Sequence, residues 1–289
     1  MPEVELGHGT IRYTDSGAGA GPEAGADRPV VVLVHGLLVD GSLWRDVVPR
    51  LAERARVIVP DLPLGSHRVP MRPDADLSPP GIAALIAEFL AALDLRDVTL
   101  VGNDTGGAMC QLVATRHPER LARLVLTNCD THDNFLPMAF RPMQWLARVP
   151  GAVWLLAQAF RIRPLLASPV GFGSLARTRI DQDRLTAWAA PALSDSGVRR
   201  DLERVLRGIH TRYTLRAAEE LARFGRPILL AWGRHDRFFR PSYAERLAAE
   251  WPDARLEWIE ESATFVPIDA PGTLSSLVAD FTREATPSR

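Results

Sequence analysis

The chain has 289 residues, 46% of them hydrophobic, and a formal net charge of −1 at pH 7. That length carries one large α/β domain with an insertion and an ample core, without calling for a second independent domain. With charge balanced and no basic run, nucleic acid is not an expected partner. Every basic side chain is Arg and none is Lys, a compositional bias to which we attach no chemistry.

The opening Met1-Pro2-Glu3-Val4-Glu5 has no positive region leading into an apolar stretch, and no apolar run reaches membrane-spanning length. A cytoplasmic protein with no membrane partner is therefore expected. Cys110 and Cys129 lie in apolar segments without metal-ligand spacing, so reduced buried thiols and no metal are expected.

In chain order, strands are predicted at residues 9–14, 30–34, 57–59, 98–101, 124–127, 228–231 and 256–259, as short β-branched runs bounded by Gly, Pro or Asp. Helical patterns fall between them, clearest at 80–93, 108–117, 242–250 and 273–283. This alternation predicts a mostly parallel sheet with helices on both faces. The Gly- and Ala-rich segment 15–27 reads as a surface loop. From about residue 132 to 215 the strand rhythm stops and Trp- and Phe-bearing helices broken by prolines take over. The expected organisation is thus a core of residues 1–131 and 216–289, with 132–215 as a helical cap over the carboxyl ends of the strands, where open α/β sheets bind ligands.

Four stretches carry chemistry. The strand Val31-Val32-Leu33-Val34 ends in His35-Gly36. The strand Val98-Thr99-Leu100-Val101 runs into Gly102-Asn103-Asp104-Thr105-Gly106-Gly107, a tight glycine-flanked turn before a helix. It has the form of a nucleophile elbow, G-x-S-x-G, with Asp104 in the serine position. Such a turn strains its central residue and leaves no room for side chains beside it, while the helix amino end favours the Asp104 anion. Further on come Pro227-Ile228-Leu229-Leu230-Ala231-Trp232-Gly233-Arg234-His235-Asp236 and Ser262-Ala263-Thr264-Phe265-Val266-Pro267.

Together these resemble the α/β-hydrolase superfamily from residue 9 to 281, in the branch with an aspartate nucleophile that includes haloalkane dehalogenases and epoxide hydrolases. The resemblance implies an eight-stranded α/β-hydrolase fold and no cofactor. It implies Asp104 as the reactive carboxylate, Asp236 as the acidic triad member, and the amides of Leu37 and Thr105 as an oxyanion hole for a substrate oxygen. It also aligns Thr264 with the family's catalytic histidine. A threonine hydroxyl has no useful basicity near neutral pH, so the usual His-assisted hydrolysis of an aspartyl ester lacks its base. His132 follows a strand end at the start of the cap and is the histidine considered as a substitute, with Asp130 as an alternative acid. His67 and His117 read as surface residues, and His235 as turned away from its neighbour Asp236.

Two further departures matter. Dehalogenases of this kind carry Trp directly after the nucleophile and many have Asn at the Leu37 position, whereas this chain has Thr105 and Leu37. Epoxide hydrolases use cap tyrosines, yet the tyrosines here are Tyr13, Tyr213 and Tyr243. The first functional reading is therefore non-hydrolytic acid–base chemistry at Asp104 on an apolar small molecule, of isomerase, lyase or cyclase type. The alternatives are a dehalogenase- or epoxide-hydrolase-like enzyme working through an Asp104 alkyl ester, and a ligand-binding relic without turnover. The expected substrate-contacting residues are His35, Trp44, Phe135, Phe140, Trp145, Trp154, Trp188 and Phe265, with Phe160 a further aromatic candidate. The oligomeric state is left open, a homodimer included.

Overall fold

A computed structural model describes residues 1–17 and 28–284; most of the expected 15–27 loop lies outside the described residues. Eight strands form one sheet: β1 (Glu3–Leu6), β2 (Gly9–Asp15), β3 (Val30–Val34), β4 (Arg56–Pro60), β5 (Val98–Asp104), β6 (Leu121–Cys129), β7 (Ile228–Gly233) and β8 (Ala254–Ile259), in the order β1-β2-β4-β3-β5-β6-β7-β8. The β1–β2 and β2–β4 pairs are antiparallel, and the others are parallel. The central strands read as continuous apolar runs because both faces are covered: every residue of β7, and all of β3 but Val30, is buried.

The helices are α1 (Val48–Leu51), α2 (Pro79–Ala92), α3 (Thr105–Arg116), α4 (Arg141–Leu146), α5 (Ala152–Ala159), α6 (Arg163–Leu166), α7 (Gln182–Ser194), α8 (Ser196–Gly208), α9 (Thr211–Leu221), α10 (Pro241–Glu250), α11 (Val266–Asp269) and α12 (Pro271–Phe281). Helix α2 starts where Ser78 accepts the Gly81 amide with prolines at its first positions, and α8 where Asp195 accepts the amides of Gly197 and Val198. The six helices α4 to α9 all fall between β6 and β7.

Sequence patterning misses β1, a four-residue strand at the antiparallel edge whose exposed positions alternate with its inner ones. It also ends β5 early and trims β6 at both ends. Polar Asn103 and Asp104 continue β5, and Arg123 and Asn128 lie within β6, because ladder pairing is indifferent to side-chain polarity. The cap boundary also shifts: α9 packs along α3, and Trp251 Nε1 donates to the Ala218 carbonyl at 2.9 Å. The chain from Thr211 onward therefore belongs to the layer of helices on the sheet.

Candidate active site

Parallel strands β3, β5, β6, β7 and β8 bring their carboxyl ends to one edge. There the chain's chemistry-bearing turns meet. Asp104 closes β5 at φ 56° and ψ −135°, a conformation that L-residues adopt only under constraint. The constraint is visible in the glycines around it. A Cβ on Gly102 would stand 2.6 Å from Gly107 Cα, and one on Gly36 would stand 2.5 Å from Asp104 Cβ. A Cβ on Gly106 would collide with the His35 carbonyl oxygen. The elbow is therefore jammed between β3 and α3, and the Asp104 side chain has one direction left.

That direction puts Asp104 Oδ1 against two backbone donors, the Leu37 amide at 3.4 Å and the Thr105 amide. The two amides expected to hold a substrate oxygen instead hold the aspartate's own oxygen. Burial pushes the Asp104 carboxyl above its usual range, opposed by the hydrogen bonds from Thr105 and Leu37. Asp130 is fully buried beside it: Oδ2 accepts the Thr105 hydroxyl at 3.0 Å and Oδ1 the Leu136 amide at 2.8 Å. Burial, and then the neighbouring Asp104 charge, raise the Asp130 carboxyl well above its usual range, against the hydrogen bonds from Leu136 and Thr105.

Asp236 sits at the turn after β7. Its Oδ1 accepts the Phe238 and Phe239 amides at 2.7 and 3.0 Å, and its Oδ2 accepts Asn128 Nδ2 at 2.8 Å. Burial raises its pKa to about 6 against these donors and against the Thr264 hydroxyl beside it. Thr264 Oγ1 is fully buried beside Asp236, and Asn103 Oδ1 is buried without a hydrogen-bond partner among the described residues. Asn103 Nδ2 donates to the Thr264 carbonyl at 2.7 Å, tying the Thr264 turn to the strand that bears Asp104. Thr264 lies next to Asp236, fully buried, and is not among the residues that line the cavity above Asp104.

A cavity of about 500 Å³ opens above Asp104, lined on the sheet side by Leu37, Leu38, Thr105, Arg237 and Phe238. Its cap side is made by residues from Leu136 to Leu175, among them Phe140, Met143, Leu156, Phe160 and Phe172. This is the size and apolar character of a site for a small organic molecule. Among the described residues that line it, only Asp104 and Arg237 carry charge.

Of the expected site residues, the structure brings Asp104, Leu37, Thr105 and Phe140 to the cavity, along with Phe160, while Asp236 and Thr264 are buried and are not among its lining residues. The others stand elsewhere. His132 turns away: its Nε2 meets Glu250 Oε2 at 2.7 Å and its Nδ1 lies 3.1 Å from Thr131 Oγ1, so it braces α10 and is no substitute base. His35 is wholly buried, its Nδ1 3.0 Å from the Gly36 carbonyl and its Nε2 accepting the Leu62 amide at 2.9 Å; burial lowers its pKa to about 4, and it stiffens the loop before Leu37. Trp44 and Phe135 are core residues. Trp188 and Phe265 pack edge to face at 5.9 Å, and Trp188 Nε1 donates to Ser42 Oγ and Asp40 Oδ1 at 2.8 and 3.1 Å; they brace the cap on the core. Trp145 and Trp154 are exposed on the outer surface. His67, expected on the surface, is buried with Nε2 3.2 Å from Asp201 Oδ2, because α8 covers it. Sequence reasoning missed Arg237 and Phe238, although their place directly after Asp236 puts them at the same sheet edge. No local signal marks the loop from Pro169 to Leu175.

The family model of the α/β hydrolase fold matches residues 29–271. The chain belongs to the α/β-hydrolase fold family. Haloalkane dehalogenase 2 of Mycobacterium tuberculosis is 27% identical over 287 residues, covering 94% of this chain and 91% of that protein. The uncharacterized hydrolase YugF of Bacillus subtilis is 26% identical over 259 residues, covering 88% and 90%. Among solved structures, an ancestral haloalkane dehalogenase superposes with TM-score 0.78 at 23% identity over 98% of both chains. The haloalkane dehalogenase DbeA from Bradyrhizobium elkani gives TM-score 0.78 at 21% identity over 97% of this chain and 96% of its own. At these identities the α/β-hydrolase likeness of the solved structures extends to the fold. No helix among the described residues is long and apolar enough to cross a membrane.

Proposed function

We propose that this α/β-hydrolase acts on an apolar small molecule by covalent catalysis, with the free oxygen of Asp104 attacking a saturated carbon and expelling its leaving group to give an aspartyl ester. The grip of the Leu37 and Thr105 amides on Asp104 Oδ1 carries this reading. Donors on one carboxylate oxygen leave the other as nucleophile, and they then polarise the ester carbonyl and stabilise the oxyanion formed when water adds to it. The likeness to haloalkane dehalogenases supports the same step. Asp236, with its pKa of about 6, is ionised at neutral pH and serves as the base. In this reading the Thr264 hydroxyl beside Asp236 positions the water that the carboxylate deprotonates. Without an imidazole, this second step is slow.

A second reading is favoured by the raised Asp104 carboxyl in an apolar cavity: acid–base isomerisation, elimination or ring closure without an ester. Incubation with an alkyl bromide or iodide in ¹⁸O-labelled water separates the two. Covalent catalysis predicts a mass increment on the peptide bearing Asp104 and, on turnover, label in Asp104 itself. Conversion of a substrate with no adduct and no label assigns the acid–base route. Retention of apolar ligands with neither outcome assigns a binding protein.

A further inference from the structure

We propose that the outer face of the cap docks on an anionic lipid bilayer. Of the ten large apolar side chains exposed among the described residues, eight lie between Met138 and Val170. Trp145 and Trp154 are each more than half exposed, at 65% and 52%. Helix α5, Ala-Val-Trp-Leu-Leu-Ala-Gln-Ala, is apolar almost all round. Val153 and Ala157 face inward, and Ala157 packs on Ala192 and Val198. Leu156 lines the cavity, and Trp154 and Leu155 face out with nothing over them. A helix with apolar groups on every side is covered in its working state.

Charge identifies the cover. Residues 134–180 contain six arginines and no Asp or Glu, in a chain whose net charge is −1. Arg163 and Arg177 reach carboxylates outside the segment, at 3.1 and 3.5 Å; Arg148 and Arg161 are exposed beside the apolar residues. A second copy of the chain on this face would set arginine against arginine. An anionic bilayer instead takes the tryptophans at the headgroup level and pairs the arginines with phosphates. Such a contact is peripheral and needs no spanning segment, which was the ground for expecting no membrane partner. Val170 is 79% exposed and also lines the cavity, so exposed apolar surface of the cap reaches the mouth of the site. The bilayer contact stands independently of the role given to Asp104.

The test is sedimentation of the full chain with vesicles of phosphatidylcholine alone and of phosphatidylcholine mixed with phosphatidylglycerol. Binding is expected to the mixed vesicles, to weaken with salt, and to shift tryptophan emission to the blue. Each arginine near an anionic surface tightens binding about fivefold, so the double variant Arg148→Glu/Arg161→Glu loses the preference for phosphatidylglycerol. Trp145→Ser/Trp154→Ser weakens binding about tenfold or more, with thermal melting and Asp104 labelling as in the parent. Absence of binding to either vesicle overturns the proposal, as does equal binding by parent and variants. A dimer that dissociates on Trp145→Ser, without vesicle binding, assigns the face to a second copy and also overturns it.

Discussion

The carboxyl edge of the sheet and the cap above it are built on opposite terms. At the edge, backbone contacts leave each functional atom one position: the elbow glycines stand against backbone and Asp104 itself, and amides, Asn103 and Asn128 hold the carboxylates and the Thr264 turn. In the cap, short helices present apolar residues inward and outward alike, and Gly151 has open space around it, whereas Gly171 and Gly173 stand against the Leu165 and Ala167 carbonyls. The chemistry is therefore fixed by the sheet, while the shape of the pocket is set by elements with room to vary. Changes at the edge should act on rate and folding sharply. Changes in the cap should act mildly.

The largest effect is expected from Asp104→Asn, which removes the nucleophile while keeping its shape: labelling by alkyl halide and all turnover through the ester should vanish, as read by peptide mass spectrometry. Next is Thr264→His, which sets an imidazole beside Asp236. General base catalysis contributes about 10²–10⁴-fold, so breakdown of a preformed Asp104 ester should accelerate within that range in single-turnover assays. An unchanged rate would mean that Asp236 already does what the ring would do. Gly106→Ala comes third, because the new methyl group meets the backbone carbonyls of Val34 and His35. Overpacking of this kind costs about 1–3 kcal/mol, measurable by urea unfolding, and the loss of Asp104 labelling should exceed what the loss of folded protein explains.

The same contrast explains what could be read from the sequence. Asp104, Asp236, Thr264, Leu37 and Thr105 were legible because each belongs to a turn whose backbone admits few sequences. The strands were legible as apolar runs. Cap residues were not: Trp145, Trp154 and Phe160 sit in similar apolar surroundings along the chain, yet only Phe160 lines the cavity, since which side of a short apolar helix faces inward is decided by packing partners far away in sequence. His132 failed for a related reason. Its backbone turns at φ 50° and delivers the ring to Glu250, 118 residues on, a contact that no local pattern announces.

A smaller effect is expected from pH. Asp236 has its folded pKa raised to about 6 by burial, so as a base it is lost below that value: ester breakdown should fall about tenfold per pH unit below about 6 and level off above it. Asp236→Asn should flatten the profile. The same shift has the opposite sign for folding. A carboxyl whose folded pKa is raised binds its proton more tightly when folded, so its stabilising contribution is present at low pH and lost as pH rises from about 4 through 6. Asp61, with its pKa raised to about 7 chiefly by burial, acts in the same direction over a wider window.

The smallest effect should come from repeating the glycine substitution in the cap. Gly151 precedes α5 at φ 78°, and a Cβ there meets nothing within 4 Å. Alanine in that left-handed conformation costs about 1–2 kcal/mol, and the reduced freedom of the unfolded chain returns about 0.4–1 kcal/mol. The balance for Gly151→Ala is a loss of about 1 kcal/mol, against the steric clash that Gly106→Ala adds at the elbow. Because Gly151 touches neither the cavity nor the carboxylates, the rate of Asp104 labelling should match the parent's while the melting temperature falls by about 2–4 °C. If Gly151→Ala instead slowed labelling as strongly as Gly106→Ala, the cap would be as tightly coupled to the elbow as the glycines are, and the division between a fixed edge and a permissive cap would fail.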